Sequence, residues 1–434
     1  MDKYTVAANE LLDFIKKSPT AYQAVANIKQ ALLACGFKVY QPNQKPNLKK
    51  GDRYFYTKND SAILAFEIGN NPIKNGLRIF GAHTDSPSLR IKPNSISVKD
   101  NVIRLNTEIY GGPILNTWFD RPLSLAGRVT IKNDQSFEPK TKLIDFKKPI
   151  LVLPNLAIHM NREVNKGVEI KANQHLLPFI ALTDEKEIKQ DWFNELIAKK
   201  LDIKADDILD FDLFIYEASP GEIVGIKNEF ILAPRLDNLA MCQAGIKSLL
   251  SLSEKREFNG INILLYTDNE EVGSMTKQGA NSLFLRDIIE SICLNLGASR
   301  QDFLAIFDHS IMISADQAHA VHPNYSEFSD PDHRPMINGG PVIKLAASQS
   351  YASDSKSAGY FMQLCEKANV PYQWFVNRSD LRGGSTIGSI TASRLPMSTV
   401  DIGNAIWAMH SSRETGGVKD IYYLEKVLKV FFNI

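Results

Sequence analysis

The 434-residue sequence has few cysteines and no long hydrophobic segment. Its four cysteines are far apart and form no closely spaced pair that could bind a metal, so we expect buried free thiols rather than a disulfide framework. No apolar run is long enough to cross a bilayer, and no secretory signal begins the chain. The sequence therefore predicts a cytoplasmic, reduced protein that has no membrane partner.

The charged residues show no excess of one sign. Fifty lysines and arginines against 49 aspartates and glutamates give a formal net charge of +1 at pH 7. This balance gives no reason to expect binding to nucleic acid or to an anionic membrane surface. Hydrophobic residues at 44% and charged residues at 23% are ordinary for a globular protein, and the length allows two domains.

Several catalytic signatures are also missing. The sequence contains no His-Glu-x-x-His zincin helix, no Gly-x-Ser-x-Gly nucleophile elbow and no glycine-rich loop of the kind that cradles phosphates. These absences argue against the common zincin, serine-hydrolase and nucleotide-dependent mechanisms. Any catalytic chemistry must come from residues that are dispersed along the chain.

The most informative stretch is Tyr266–Ser274, which contains Asp268, Glu270 and Glu271. It follows Gly260–Leu265, whose apolar, β-branched residues predict a buried strand. Open α/β sheets bind their ligands beyond the carboxyl ends of the strands, where these acids are expected to lie. Two adjacent glutamates repel each other unless a cation is nearby, so one could bind a metal while the other transfers protons. Taken alone, an acidic solvated loop explains the stretch equally well.

The remaining patterns predict an α/β protein with an interruption. Strand-like and helical segments alternate near both ends of the chain, whereas hairpin patterns dominate between them, as at Ile96–Leu105. One helix is predicted within the interruption, at about Glu185–Leu201. We therefore predict a central mixed sheet flanked by helices, formed by residues 1–95 and 232–434. Residues 96–231 form an inserted β-rich domain in this interpretation.

Metal-capable side chains occur at five predicted strand ends or loops: His83 with Asp85, Asp237, Glu270 with Glu271, Asp316, and His410. Imidazole and carboxylate groups suit zinc and its first-row neighbours, and the number of carboxylates indicates a pair of ions. A metal pair lowers the pKa of bound water from about 15.7 toward neutrality. A carboxylate outside the coordination shell could then move the proton, and Asp85 could hold the ring of His83.

Each candidate ligand has a simpler explanation. Asp237 could cap the helix that follows it, a role worth about 1 kcal/mol. His83 could be a hydrogen-bonded core histidine, and His410, in an apolar stretch that resembles a helix, could be structural. His319 and His322 are further candidates, and spacing does not rank them against the others.

Considered together, the motifs resemble the aspartyl aminopeptidase family, whose members are two-metal exopeptidases. The similarity covers nearly the whole chain in the same order and is carried by these stretches: Ser18–Thr20, Gly81–Pro87, Thr117–Arg121, Ala157–Arg162, Arg235–Asn238, Asp268–Ser274, Ser314–Tyr325 and Met409–Glu414. Any one of these motifs could occur by chance, whereas the ordered set is specific.

The resemblance implies a ligand set for two divalent metal ions per chain, zinc first, with Mn²⁺ or Co²⁺ as alternatives. Asp237 would bridge both ions. His83 and Asp316 would complete one site, and Glu271 and His410 would complete the other. These roles follow from the family motifs and not from spacing.

The same resemblance implies further roles. Glu270 would be the general base, and Asp85 would orient His83. Peptides would be the substrates, and Lys344 lies where the family's pocket for an acidic N-terminal residue carries a lysine. The inserted domain would serve dimerisation within a tetrahedral dodecamer, where His159 would reach a neighbouring subunit's active site.

Three rival functions remain at this stage. The chain could prefer neutral N-terminal residues, as some family members do. A two-metal carboxypeptidase or amide deacylase would share the fold. A non-catalytic scaffold should have lost Glu270 or a ligand, and this sequence retains them all.

Overall fold

The structure is a computed structural model that describes residues 2–185, 188–189, 191–381 and 383–434. The chain forms two compact units. The first unit consists of Met1–Asp85, Gly221–Met409 and Glu414–Ile434, and the second of Ser86–Pro220 and His410–Arg413. Each unit is described separately below.

The helices are α1 (Lys3–Lys17), α2 (Ala21–Ala34), α3 (Ala172–His175), α4 (Trp192–Leu201), α5 (Leu236–Leu250), α6 (Phe284–Asn295), α7 (Arg300–Ala305), α8 (Ser355–Lys367), α9 (Ile387–Arg394) and α10 (Val418–Phe431). Local chemistry explains several helix starts. The Asp2 carboxylate accepts the backbone N–H groups of Tyr4 and Thr5 and caps α1. Asp354 and Ser357 form a capping box at the start of α8.

The strands are β1 (Lys38–Val39), β2 (Arg53–Lys58), β3 (Ala62–Ile68), β4 (Leu77–His83), β5 (Ser88–Lys99), β6 (Val102–Tyr110), β7 (Leu123–Ile131), β8 (Lys140–Asp145), β9 (Phe179–Leu182), β10 (Ile208–Glu217), β11 (Glu222–Val224), β12 (Phe230–Ala233), β13 (Ile261–Thr267), β14 (Ile311–Ala315), β15 (Ala318–His319), β16 (Val342–Leu345), β17 (Gln373–Val376), β18 (Ser398–Gly403), β19 (Ala405–Ile406) and β20 (Glu414–Gly417). Their pairing divides them between the two units.

The first unit is built on a mixed sheet. Among the described residues this sheet has nine strands, in the order β1-β2-β3-β13-β4-β14-β18-β16-β17. Its centre, β13-β4-β14-β18, is parallel, whereas β3 and β16 join it antiparallel. The four parallel strands therefore end at one edge of the sheet, where α/β folds bind ligands. The predicted mixed α/β architecture is confirmed.

Helices cover both faces of this sheet. Phe80 and Ala82 of β4 pack in one cluster with residues of α2, α5, α8 and α10. Leu77 and Ile79, which alternate with them, pack in another cluster with residues of α6, α7 and α9. The central strands are buried along their whole length, as expected for parallel strands between two helical layers. This packing fixes the strand ends that carry the candidate site.

The second unit is β-rich. Its described residues contain a six-stranded antiparallel sheet in the order β8-β7-β10-β5-β6-β9. Strands β5 and β6 form the predicted hairpin, with Asp100 and Asn101 at positive φ in the turn. The core of the unit includes Leu125 and Val129 of β7 and Phe193 and Ile197 of α4.

Several boundaries differ from the predictions. The second unit begins at Ser86 rather than at residue 96, because β5 is one long strand of the six-stranded sheet. It ends at Pro220 rather than at residue 231, because β11 and β12 pair with β20 in the first unit. The helix predicted at Glu185–Leu201 begins only at Trp192, and part of the preceding segment, residues 186, 187 and 190, lies outside the described residues.

The structure also shows the state of the cysteines and the length and polarity of the helices. The four cysteines are free thiols, and three of them are buried. None of the described helices is both long enough and apolar enough to span a membrane.

Candidate metal centre

The parallel strands of the first unit bring the predicted acidic and histidine residues to one edge of the sheet. Strand β4 ends at His83, and its parallel neighbours β13 and β14 lead directly to the Glu270-Glu271 turn and to Asp316. Asp237 comes from the first turn of α5, where its backbone angles are not helical. The topology thus collects side chains that lie more than 200 residues apart in sequence.

A buried group of metal-ligating atoms lies at this edge. One ligand atom each of His83, Asp237 and Glu271 lie within 4.8 Å of one another. The Nε2 atom of His83 is 3.3 Å from Oδ1 of Asp237 and 3.6 Å from Oδ1 of Asp316. His83 and Asp237 are almost inaccessible to solvent, with 1% and 3% exposure. One imidazole and several carboxylates in a buried cluster are a donor set that fits zinc.

The acids and the histidine of this group lie close enough to shift one another's pKa. Burial and the nearby Asp237 carboxylate raise the pKa of Glu271 well above its ordinary value. Burial alone would lower the pKa of His83, but contacts with Asp237, Asp316 and Asp85 raise it well above its ordinary value. Crowded carboxylates of this kind bind protons more tightly than isolated ones. A dication would replace those protons, because metal ligands bind in their deprotonated forms.

Asp85 connects two parts of the centre. Its carboxylate Oδ1 is 3.3 Å from Nδ1 of His83, and its carbonyl oxygen is 3.1 Å from the same atom. The two carboxylate oxygens also accept the backbone N–H groups of Glu270 and Glu271, each at 3.1 Å. Asp85 is therefore positioned both to orient the His83 ring and to hold the Glu270-Glu271 turn. The sequence indicated the first contact but not the second.

Glu270 differs from its neighbour Glu271. It is half-buried and lies outside the group of ligand atoms found among the described residues. Burial raises the pKa of Glu270 to about 8, an increase that His83 opposes and that Asp316, Asp85 and Asp237 reinforce. A carboxylate with a pKa near neutrality, placed beside a metal-ligating group, is suited to proton transfer.

Lys344 is not a solvated surface lysine. Its side chain is 2% exposed, and Nζ donates to the carbonyl oxygens of Asp316 at 3.0 Å and Gln317 at 3.1 Å. Nζ also lies 3.6 Å from Oδ2 of Asp316 and 5.1 Å from the ring centre of Tyr351. The lysine is thus in contact with one predicted ligand and under one aromatic ring.

Hydrogen bonds from neighbouring residues also support the centre. The Asn238 side chain donates to the carbonyl oxygen of Ala315 at 2.8 Å, which joins α5 to the end of β14. The Glu414 carboxylate accepts the backbone N–H of Asp237 at 2.9 Å. The Cys242 thiol donates to the carbonyl oxygen of His83 at 3.1 Å. Asn238 and Glu414 belong to quoted motifs, whereas Cys242 had only a helical pattern around it.

The competing histidines lie elsewhere in the first unit. His319 is an exposed residue of β15, with its ring centre 5.9 Å from that of Phe375. The ring of His322 packs near Tyr325, and its Nδ1 accepts the backbone N–H of Asn324 at 3.2 Å. Neither histidine belongs to the ligand group identified among the described residues.

Two predicted residues belong to the second unit. His410 has a φ of 68°, its carbonyl accepts the N–H of Ile114, and its Nδ1 is 3.1 Å from the Gly112 carbonyl oxygen. A carbonyl oxygen can only accept a hydrogen bond, so this contact favours the tautomer that carries its proton on Nδ1. The helical interpretation of Ala405–His410 is wrong, because Ala405 and Ile406 pair with β15 instead. His159 is an exposed residue in a turn.

Comparisons with known proteins agree with this geometry. A family profile described as aminopeptidase I zinc metalloprotease (M18) matches residues 14–432. A probable M18 family aminopeptidase 2 from Clostridium novyi (strain NT) is 52% identical over 429 residues, which cover 98% of each chain.

Solved structures are similar over the whole chain. The cryo-EM structure of the Ape4 and Nbr1 complex contains a chain with 35% identity and a TM-score of 0.94, and the match covers 99% of this chain and 86% of that one. A chain of the S. cerevisiae mApe1 dodecamer has 25% identity and a TM-score of 0.85, with 99% and 97% of the two chains covered. The chain therefore belongs to the M18 family of zinc metalloproteases and is an aminopeptidase, a hydrolase that acts on peptides.

Proposed function

We propose that this aminopeptidase works with two divalent metal ions per chain, zinc first, held by His83, Asp237, Glu271, Asp316 and His410. The observation that carries the proposal is the buried group of His83, Asp237 and Glu271, whose ligand atoms lie within 4.8 Å of one another. Asp316 supports it with a carboxylate oxygen 3.6 Å from His83. His410 enters through the family motif Met409–Glu414 alone.

The protein supplies the proton transfers. Bound zinc ions would acidify a water molecule and polarise the scissile carbonyl. Glu270 would take the proton of the attacking water and deliver it to the leaving amine, because it lies beside the ligand group without belonging to it and burial makes its carboxylate more basic than an ordinary glutamate. Asp85 keeps the His83 ring in place and fixes the turn that carries Glu270, through contacts of 3.1 to 3.3 Å.

We also propose a preference for N-terminal Asp and Glu. A substrate carboxylate that leaves water needs a cation beside it, since an unpaired buried charge is costly. Lys344 supports this proposal because it is a buried cation whose Nζ lies within 3.6 Å of the ligand Asp316. Its existing contacts with the Asp316 and Gln317 carbonyls mean that a substrate carboxylate would share the ammonium group.

We further propose assembly into a dodecamer built from dimers, with the β-rich second unit as the assembly domain and peptides as substrates. Exposed apolar side chains in one segment of this unit support the proposal: Leu156, Ile158, Met160 and Val168. His159 lies in the same segment and would reach a neighbouring subunit's active site. Sizing by light scattering should give about twelve chains per particle, and a fully active monomer would contradict both the assembly and the role of His159.

The experiment that tests the activity is a substrate profile. One peptide series that varies only its N-terminal residue is incubated with enzyme that is untreated, chelator-treated, or treated and then reloaded with zinc. We expect release of the N-terminal residue, fastest for Asp and Glu, loss of activity with chelator and recovery with zinc. Release from the C-terminus, or cleavage only of acylated small molecules, would support the carboxypeptidase or deacylase alternatives.

A further inference from the structure

Asp401 is a buried carboxylate that the proposed mechanism does not use. It lies on β18, has 0% exposure, and accepts hydrogen bonds from three segments of the first unit. Its Oδ1 accepts the Ser314 hydroxyl at 2.5 Å and the Thr386 hydroxyl at 2.6 Å. Its Oδ2 accepts the backbone N–H of Ala352 at 2.6 Å. The carboxylate therefore joins β14, the loop before α8 and the N-cap residue of α9.

The surroundings of Asp401 are built closely around this carboxylate. Gly388 faces it so closely that a β-carbon there would collide with both carboxylate oxygens. The backbone N–H of Asp401 donates to the Ser353 hydroxyl at 2.8 Å, which adds a second link to the same loop. Burial raises the pKa of Asp401, and the positive charge of Lys344 opposes that rise.

The loop held by Asp401 leads to the metal centre. Tyr351, next to the clamped Ala352, is 4% exposed, and its ring centre lies 5.1 Å from Nζ of Lys344. Lys344 in turn donates to the Asp316 carbonyl oxygen at 3.0 Å. A continuous chain of contacts thus runs from Asp401 through Tyr351 and Lys344 to Asp316.

We propose that Asp401 is a positioning residue of the metal centre: by clamping Ala352 to β18, it holds Tyr351 over Lys344 and so fixes Lys344 against Asp316. This inference rests on the proposed role of Asp316 as a metal ligand. Asp401 itself touches neither substrate nor metal in this account. Its contribution is to prevent the loop of residues 346–354 from moving away from the site.

The test compares Asp401→Ala with Asp401→Asn. Alanine removes the acceptor for the Ala352 N–H, whereas asparagine can keep its carbonyl oxygen there and turn its NH₂ group toward the two hydroxyls, which can rotate to accept. We expect Asp401→Ala to raise KM at least fivefold, weaken zinc binding and speed amide hydrogen exchange in residues 346–354. Asp401→Asn should restore most of each property. Thr399→Val, on the same strand and outside the clamp, is the control that should match wild type.

A purely structural role predicts something different. Asp401→Ala would then lower Tm, while KM, zinc affinity and exchange in the loop stay as in wild type below the melting temperature, and that result would overturn the proposal. If Asp401→Ala does not fold, Ala352→Pro removes the same N–H donor from the loop side. An unchanged KM in that variant would also overturn it.

A separate experiment shows whether Asp316 is a metal ligand at all. Asp316→Asn that keeps full zinc content and turnover would show that Asp316 is not a ligand. Loop exchange in the Asp401 variants reports on the clamp independently of that result.

Discussion

Buried acids occur in two different settings in the first unit. At the ends of β4 and β14, Asp237 and Asp316 both approach His83. Asp401 and Asp420 instead accept hydrogen bonds from the chain itself; Asp420 takes the backbone N–H groups of Asn338 at 2.7 Å and Gly340 at 2.9 Å. Burial raises the pKa of Glu271 in the centre and the pKa of Asp401 and Asp420 outside it. A raised pKa therefore does not distinguish a metal centre from a structural carboxylate.

The two settings differ in the kind of group that surrounds the acids. Around Asp401 and Asp420, hydroxyl and amide donors compensate each carboxylate separately. In the centre, by contrast, four carboxyl groups lie near only one histidine and one lysine; they belong to Asp85, Asp237, Glu271 and Asp316. We propose that divalent cations balance this excess of acidic groups. Substitutions in each setting should therefore have different consequences.

The largest effect on turnover is expected for Glu270→Gln. The change keeps the shape of the side chain but removes the group that moves the proton, so kcat should fall by about 10²- to 10⁴-fold. Zinc content, measured by mass spectrometry, should stay near that of wild type because Glu270 is not among the ligands. Glu257→Gln is the matched control, since Glu257 is an exposed acid paired with Lys50. Near-normal turnover of Glu270→Gln would show that the role assignment is wrong.

An intermediate effect is expected for Lys344→Met. Loss of a charge-assisted contact worth about 1.5–3 kcal/mol should lower kcat/KM for N-terminal Asp and Glu by roughly ten- to a hundredfold. Activity on N-terminal Leu or Ala should fall little or rise. Lys356→Met, which changes an exposed lysine of α8, serves as the control. Equal losses on acidic and neutral substrates would rule out Lys344 as the specificity determinant.

The smallest effect concerns stability at Asp420. Burial raises the pKa of this carboxyl from its ordinary 3.8 to about 7. Between these two pH values the carboxyl is protonated in the folded protein but ionised in the unfolded chain. The group's contribution to stability is therefore complete below pH 4 and is lost as pH rises toward 7. Asp420→Asn removes the titration, so Tm should fall less between pH 5 and pH 8 than in wild type, by a few degrees. Identical pH slopes would contradict this account of Asp420.

Structure that depends on residues close together in the sequence was predicted well. The hairpin predicted at Ile96–Leu105 is present as the pair β5 and β6, because its alternation of side chains is local. The turn at Asp100-Asn101 was equally clear, since both residues tolerate positive φ. Features that depend on distant pairing were missed. Ala405–His410 has a helical composition, but Ala405 pairs with Ala318 and Trp407 with Thr415.

The same contrast between local patterns and long-range contacts applies to the candidate site. Strand ends and metal-capable residue types pointed to His83, Glu270 and Glu271, but only the family motifs ranked His83 above His319. The contacts of Lys344 with Asp316 and of Asp401 with Ala352 depend on side chains that meet across the fold. Asp401 in particular lies in a buried strand, where nothing in the local sequence separates a functional acid from a structural one.

The most direct test of the central claim is the zinc content of the wild-type protein and of Asp237→Asn, measured by mass spectrometry after removal of metal and reloading. Asp237 is proposed to bridge both ions, so we expect two zinc ions per wild-type chain and far fewer than one in the variant, with activity lost in parallel. A matched Asp420→Asn sample should still bind two, because Asp420 is compensated by the backbone N–H groups of Asn338 and Gly340. Asp237→Asn that binds two zinc ions with normal affinity would contradict the account and leave Asp237 as a helix-capping residue.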